Sequence, residues 1–253
     1  KQRQSPTEGE TMKYAIISDI HGNLAALQQV QQHIQGQGCD RIVCLGDIVG
    51  YGPFPNECCD IIQQITDFSI IGNHDHAALG LTSTNYFNKY AAAAIRWTAN
   101  ELDDSSISFL KQLPLQKQEE DLLFVHASPI EPEEWNYVLS LYDAIDTFRA
   151  FSQQICFIGH SHVPVIYSYE EGEFPTSEAP DHLEVLEVFR YIINVGSVGQ
   201  PRDRNADACY GVYDSEAKTF ALHRVAYDIF ATQEAMRERG LPEFLIDRLR
   251  VGR

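Results

Sequence analysis

The segment Tyr14–Asn23, YAIISDIHGN, joins a short apolar run to a polar cluster and then to a helix start. Tyr14 to Ser18 has the continuous hydrophobicity of a strand buried on both faces. Asn23 is a good N-cap, and Leu24, Leu27, Val30 and Ile34 follow it at helical spacing. Between strand and helix stand Asp19 and His21, a carboxylate and an imidazole two residues apart, followed by Gly22. The same order returns downstream. Arg41–Leu45 (RIVCL) runs into Gly46-Asp47, a helix is expected over Pro55–Ile65 with its proline in the first turn, and Phe68–Ile71 (FSII) runs into Gly72-Asn73-His74-Asp75. A β-α-β-α-β succession of this kind predicts parallel strands joined by helical crossovers.

From His76 to about Leu113 the chain reads as mainly helical, including Tyr90–Leu102. Leu122–Val125 and Ile155–Ile158 read as short buried strands around a helix near Tyr142–Gln153. Each of these strands also ends in a polar cluster, His126-Ala127-Ser128-Pro129 and Gly159-His160-Ser161-His162. Strands then come in quick succession at Val165–Tyr169, Leu183–Phe189, Tyr191–Val195, Tyr210–Tyr213 and Phe220–Val225, which predicts a second, largely antiparallel sheet. Two short helices broken at Gly240-Leu241-Pro242 close the chain. One α/β domain over residues 12–253 is expected, preceded by a polar segment, residues 1–11, that reads as a flexible leader or an expression remnant.

Composition bounds the partners. With 44% hydrophobic and 22% charged residues, the 253-residue chain is an ordinary globular protein with enough length for a sizeable core. Its 19 basic and 36 acidic residues leave a net charge of −17, which disfavours a long nucleic acid as partner. Small anions remain open, because bound cations dominate the field inside a site. The six cysteines, Cys39, Cys44, Cys58, Cys59, Cys156 and Cys209, form no C-x-x-C pair and read as reduced, buried thiols. No run approaches the roughly 20 apolar residues that span a bilayer. With no signal-peptide pattern at the start, a cytoplasmic location is expected.

The five polar clusters carry the chemistry. Carboxyl ends of strands are where open α/β sheets place their sites, so the clusters are expected to converge on one crevice. In extended chain, Asp19 with His21 and His160 with His162 project in pairs to one side. Taken singly, each cluster has a bland reading as a turn, a helix cap or a pair of exposed imidazoles. Their succession, each at a strand end, points to a metal centre. Four histidines (His21, His126, His160, His162), two aspartates (Asp19, Asp47) and Asn73 give mixed nitrogen and oxygen ligation. That set suits Mn, Fe, Zn, Ni or Co rather than an all-oxygen Ca or Mg cage. Seven donors exceed one tetrahedral ion and fit two ions that share a carboxylate.

In this order the blocks resemble the calcineurin-like metallophosphoesterase superfamily from residue 14 to about 162. Asn194–Arg202 (NVGSVGQPR) resembles a segment of its small bacterial phosphatase and phosphodiesterase members. The resemblance implies two mixed β-sheets packed as a sandwich and flanked by helices. It implies one ion on Asp19, His21, Asp47 and His162, and a second on Asp47, Asn73, His126 and His160, with Mn favoured. It makes His74 the catalytic histidine and implies hydrolysis of a small phosphomonoester, phosphodiester or nucleotide by a metal-bridging hydroxide. Protein phosphatases and symmetrical dinucleoside tetraphosphatases of the superfamily carry a phosphate-gripping arginine where this chain has Tyr51, which speaks against that type. Tyr51 and Arg202 are the substrate-binding candidates. Arg202 either contacts phosphate or pairs with Asp203 on a surface loop. Trp135, Tyr51 and Phe54 either stack on a nucleobase or pack. His33, His182 and His223 read as structural, and His76 either touches substrate or is exposed at a helix start. The alternatives are a nuclease, disfavoured by the charge, and a non-catalytic protein-binding scaffold, disfavoured because every donor and His74 are present. Oligomeric state is not legible.

Overall fold

Alternation along the strands decides the layering. In β1 (Lys13–Ile17), Tyr14 and Ile16 enter one apolar cluster, while Ala15 and Ile17 enter another on the opposite face. The computed structural model describes residues 11–253, so the expected leader, Thr11 apart, lies outside the described residues. Helices α1 (Leu24–Gln35) and α2 (Pro55–Ile65) cross from β1 to β2 (Arg41–Cys44) and from β2 to β3 (Phe68–Ser69). These three strands pair in parallel, as the sequence predicts. Asn23 caps α1 by accepting a hydrogen bond from the Ala26 N–H at 3.3 Å. The region expected to be mainly helical is divided into α3 (Asn73–Ala78), α4 (Lys89–Glu101) and α5 (Asp104–Leu110).

The second half contains β4 (Gln116–Glu119), β5 (Leu122–Val125), α6 (Leu141–Arg149) and β6 (Ile155–Ile158). Then come β7 (Val165–Glu170), β8 (Thr176–Glu178), β9 (His182–Glu184), β10 (Phe189–Asn194), β11 (Ala208–Asp214) and β12 (Thr219–Val225). Helices α7 (Ile229–Glu238) and α8 (Glu243–Leu249) close the chain. One sheet has the order β3-β2-β1-β11-β12-β9 and the other β4-β5-β6-β10-β7-β8. Both are mixed, as the resemblance implies. The late strands do not form a sheet of their own, however. They are divided between the two, and β10 and β11 take central places because their apolar residues are buried on both faces. The single strand expected over Leu183–Phe189 is two pieces, β9 in one sheet and the start of β10 in the other, with Val185–Val188 crossing between them.

The sheets face one another across Tyr14, Ile16, Val43, Phe124, Phe157, Ile193 and Phe220. Helices α1, α2 and α5 cover the outer face of the first sheet, and α6 that of the second. Burial on both sides explains why the central strands read as unbroken apolar runs. A fourth cluster joins α4, α7 and α8 to Tyr51. The carboxyl ends of β1, β2, β3, β5 and β6 meet at one end of the sandwich, where the polar clusters lie.

Candidate metal centre

Beyond the strand ends the backbone turns sharply. Asp19, His21, Asp47, His160 and His162 all have φ between 52° and 65°, the left-handed region that side chains other than glycine rarely adopt. Neighbouring loops hold them there. The N–H of Asp19 donates to the Gly46 carbonyl at 3.0 Å, that of His21 to the Asp47 carbonyl at 2.9 Å, and that of Gly199 to the Asp19 carbonyl at 2.9 Å. Two glycines allow the loops to close. A side chain at Gly72 would overlap the Asp47 carboxylate, and one at Gly159 would overlap Ser18 Oγ and Asp19 Oδ2.

Each of the seven expected donors is buried at this end of the sandwich. Among the described residues, ligand atoms of Asp19, His21, Asp47 and His162 lie within 4.8 Å of one another, and so do those of Asp47, His126 and His160. Asp47 belongs to both groups. Asn73 joins the second group, its Oδ1 lying 3.2 Å from His126 Nε2. The carboxylates are each anchored by one oxygen. Asp19 Oδ2 accepts from Ser18 Oγ at 2.7 Å and from the His160 N–H at 3.0 Å, which leaves Oδ1 without a partner. Asp47 Oδ1 accepts from the His74 N–H at 2.8 Å, so Oδ2 faces His126 and His21 at 3.4 and 3.7 Å.

The imidazoles are oriented the same way. Nδ1 of His21, His126 and His162 meets the carbonyls of Val49, Leu45 and Gln200 at 3.1, 2.7 and 2.6 Å. A carbonyl only accepts, so each Nδ1 carries a proton and each Nε2 is turned inward. His21 Nε2 and His162 Nε2 then lie 3.0 Å apart, two lone pairs facing one another beside Asp19 and Asp47. Such an approach is repulsive between neutral rings, and a cation between them makes it favourable. His160 Nε2 is likewise buried without a partner. The donor set therefore fits divalent ions.

Charge states agree with that fit. Burial disfavours the charges on Asp19 and Asp47, yet the surrounding imidazoles hold both carboxyls well below the usual range. Burial keeps His21 and His162 neutral, and it pulls His160 down to about 3 and His74 to about 4. His126 goes the other way. Burial opposes its charge, but the Asp47 carboxylate raises it to about 9. Behind the donors, burial and the Asp47 charge push Asp75 up to about 7, although it accepts N–H bonds from Val49 and Gly72 at 2.9 and 3.1 Å.

The cluster opens into a cavity of 820 Å³. His74 enters it beside Tyr51, their ring centroids 4.4 Å apart, with Nδ1 buried and unpartnered. Arg202 also lines it, donating to Gln200 Oε1 at 2.9 Å and lying over the Tyr51 ring. Asp203 pairs with Arg224 instead, so the surface pairing considered for Arg202 is absent. Trp135 reaches the cavity from the Glu131–Asn136 loop, and Tyr137 stacks on His160 at 3.9 Å. Phe54 does not line the cavity and packs under Arg239. His76 also lines it and is half-buried, so of its two readings simple exposure at the helix start is the one that fails. His33 lies against the Tyr210 hydroxyl at 2.8 Å and near His223, away from the site. Phe87, Phe244 and Arg248 also line the cavity, and sequence reasoning missed all three. The only signal for Arg248 was its place four residues after Phe244 in a short amphipathic helix.

Residues 12–218 match the model of the calcineurin-like phosphoesterase superfamily domain. The chain belongs to that superfamily. Within it, the chain is 43% identical over 243 residues to an uncharacterized protein of Methanocaldococcus jannaschii, MJ0912, covering 94% of this chain and 98% of that one. It is similar to the crystal structure of a metallophosphoesterase from Sphaerobacter thermophilus, at 40% identity and a TM-score of 0.85 over 96% of this chain and all of the other. The hypothetical protein PH1004 of Pyrococcus horikoshii shares the fold at 18% identity and a TM-score of 0.77, over 95% of this chain and 98% of that one. Calcineurin-like phosphoesterases are a superfamily of metal-dependent enzymes, and the buried Asp and His cluster of this member is a plausible metal site. Among the described residues no helix is long and apolar enough to cross a membrane.

Proposed function

We propose that this calcineurin-like phosphoesterase hydrolyses small phosphate esters at a centre for two divalent ions. The observation that carries the reading is the approach of two inward-turned imidazole nitrogens beside a carboxylate common to both donor groups. Asp19, His21, Asp47 and His162 would hold one ion, and Asp47, Asn73, His126 and His160 the other. Bound ions supply Lewis acidity toward phosphoryl oxygens and acidify water near neutral pH.

The remaining work falls to the chain. Arg202, braced by Gln200 and Tyr51, offers N–H donors to a phosphoryl oxygen. His74 is neutral before substrate arrives. A phosphate dianion beside it favours its protonated form, from which it delivers a proton to the leaving oxygen. The cavity suits a small ester, and a net charge of −17 repels a long polyanion.

The test is a hydrolysis panel of monoesters, diesters and dinucleoside polyphosphates with Mn²⁺, the ion favoured for this mixed ligand set. His74→Ala should lower kcat by about 10²–10⁴-fold on the best substrate. Asp47→Ala should abolish turnover together with metal binding, since it removes the shared donor. Turnover in both variants equal to that of the unaltered protein would refute the assignment.

A further inference from the structure

Two guanidinium groups line the cavity without an ion pair to an acidic side chain. In a chain with 36 acidic residues, Arg41, Arg149, Arg224, Arg237 and Arg239 all pair with acids. Among the described residues, Arg202 and Arg248 form no such pair, and of the arginines without one they are the two that line the cavity. Arg202 rests on Gln200 Oε1 and, at 3.3 Å, on the Tyr51 hydroxyl. Arg248 lies over the Phe244 ring at 5.6 Å from its centroid and donates Nε to the main-chain oxygen of Arg253, the last described residue, which leaves the other guanidinium nitrogens to the cavity.

Helix α8 is built to present this residue. Leu245, Ile246 and Leu249 are buried against α4, α7 and Tyr51, and the Gln233 amide donates to the Ile246 carbonyl at 2.7 Å. Phe244 and Arg248, four residues apart on the other face, therefore both line the cavity. Phe244 is itself stacked on Tyr90, their centroids 4.6 Å apart. Arg248 is half-buried, and burial together with the nearby charge of Arg202 draws it down to about 10, so it stays cationic at neutral pH. Two like charges converging in a low-dielectric cavity repel, and an anion between them removes that cost. Arg202 is the nearer of the two to the donor cluster, its charge acting on His21, His74 and His162. Glu133 and Glu134 line the same cavity and repel an anion from their own part of it. Helix α8 lies beyond residue 218, where the family match ends.

We propose that Arg248 and Arg202 form a second anion subsite beside the metal centre, so that the preferred substrate carries a second phosphate group besides the one cleaved. The orientation of that substrate rests on the hydrolase reading, whereas the subsite itself does not.

Adenosine 5′-phosphate and adenosine 3′,5′-bisphosphate share base and sugar and differ by one phosphate, which makes them a direct probe. Their affinities are measured calorimetrically on Mn²⁺-loaded protein carrying His74→Ala to suppress turnover, with and without Arg248→Ala, Arg248→Lys or Arg248→Glu. KM and kcat are measured for both compounds in the His74 background. The bisphosphate should bind about 10–100-fold tighter than the monophosphate, as charge-assisted hydrogen bonds to one more phosphate require. Arg248→Ala should erase that advantage while changing monophosphate affinity by less than about 2-fold, and Arg248→Lys should keep part of it. Arg248→Glu retains a long polar side chain on the half-buried helix face and should invert the preference, which keeps the test valid if alanine loosens α8. Equal binding of the two compounds, or an equal loss for both in the variants, would overturn the subsite. Discrimination with no turnover of these two compounds, nor of any monoester, diester or dinucleoside polyphosphate in the panel, would uphold the subsite and sink the hydrolase reading. Turnover without discrimination would do the reverse.

Discussion

His162 shows what the site costs at a single residue. Its φ of 61° places an L side chain in the left-handed region, and four other cluster residues share that conformation. The penalty is about 1–2 kcal/mol per residue for side chains other than glycine. Hydrogen bonds from neighbouring loops hold the residues there, so the strain is stored in the fold and does not depend on a bound ion. A pair of variants separates strain from ligation. His162→Ala and His162→Gly both remove the imidazole, but only glycine relieves the backbone. In urea unfolding with a chelator present, His162→Gly should be the more stable by about 1 kcal/mol. Equal stability, or an advantage for alanine, would mean that the turn is unstrained.

Among the elements, what could be read in advance followed burial. Strands β1, β2, β5 and β6 are buried on both faces, so their apolar runs stand out, and the donors follow them at legible spacings. The edge strands β4 (QKQE) and β8 (TSE) escape notice because an exposed edge carries no apolar alternation. The partition of the late strands between sheets is equally hidden, since both sheets feed the same inner core and neither leaves a mark on β9 or β12. Arg248 could not be read as a cavity residue because its position depends on how α8 packs. Packing of that helix is testable. Ile246 is fully buried among Tyr51, Ala91 and Met236, so Ile246→Ala should cost about 2–5 kcal/mol in urea unfolding. Calorimetric Mn²⁺ affinity should be unchanged, because α8 supplies no donor. A matching loss of metal affinity would show that α8 shapes the cluster as well as the cavity wall.

At the scale of the whole molecule, buried titrations in the cluster set the pH dependence of stability. His74 and His160 are depressed to about 4 and 3, so the stability they contribute is present above about 6.5, the unfolded value, and is lost as pH falls through those values. Asp75 and His126 are raised to about 7 and 9, so what they contribute is present at low pH and is lost as pH rises through those values. Chelator-treated protein should therefore have its highest Tm near pH 6–7 and decline on both sides. Saturating Mn²⁺ should raise Tm throughout and flatten the alkaline limb, because a cation takes the place of the His126 proton. A Tm that climbs steadily to pH 9 in chelator would contradict these assignments. The donors also come from loops on both sheets, three strand ends on one and two on the other. A cation that meets one sheet alone finds at most three donors of the first set and two of the second, so neither set is complete before the sheets pack. The apo chain should therefore reach its native topology unaided.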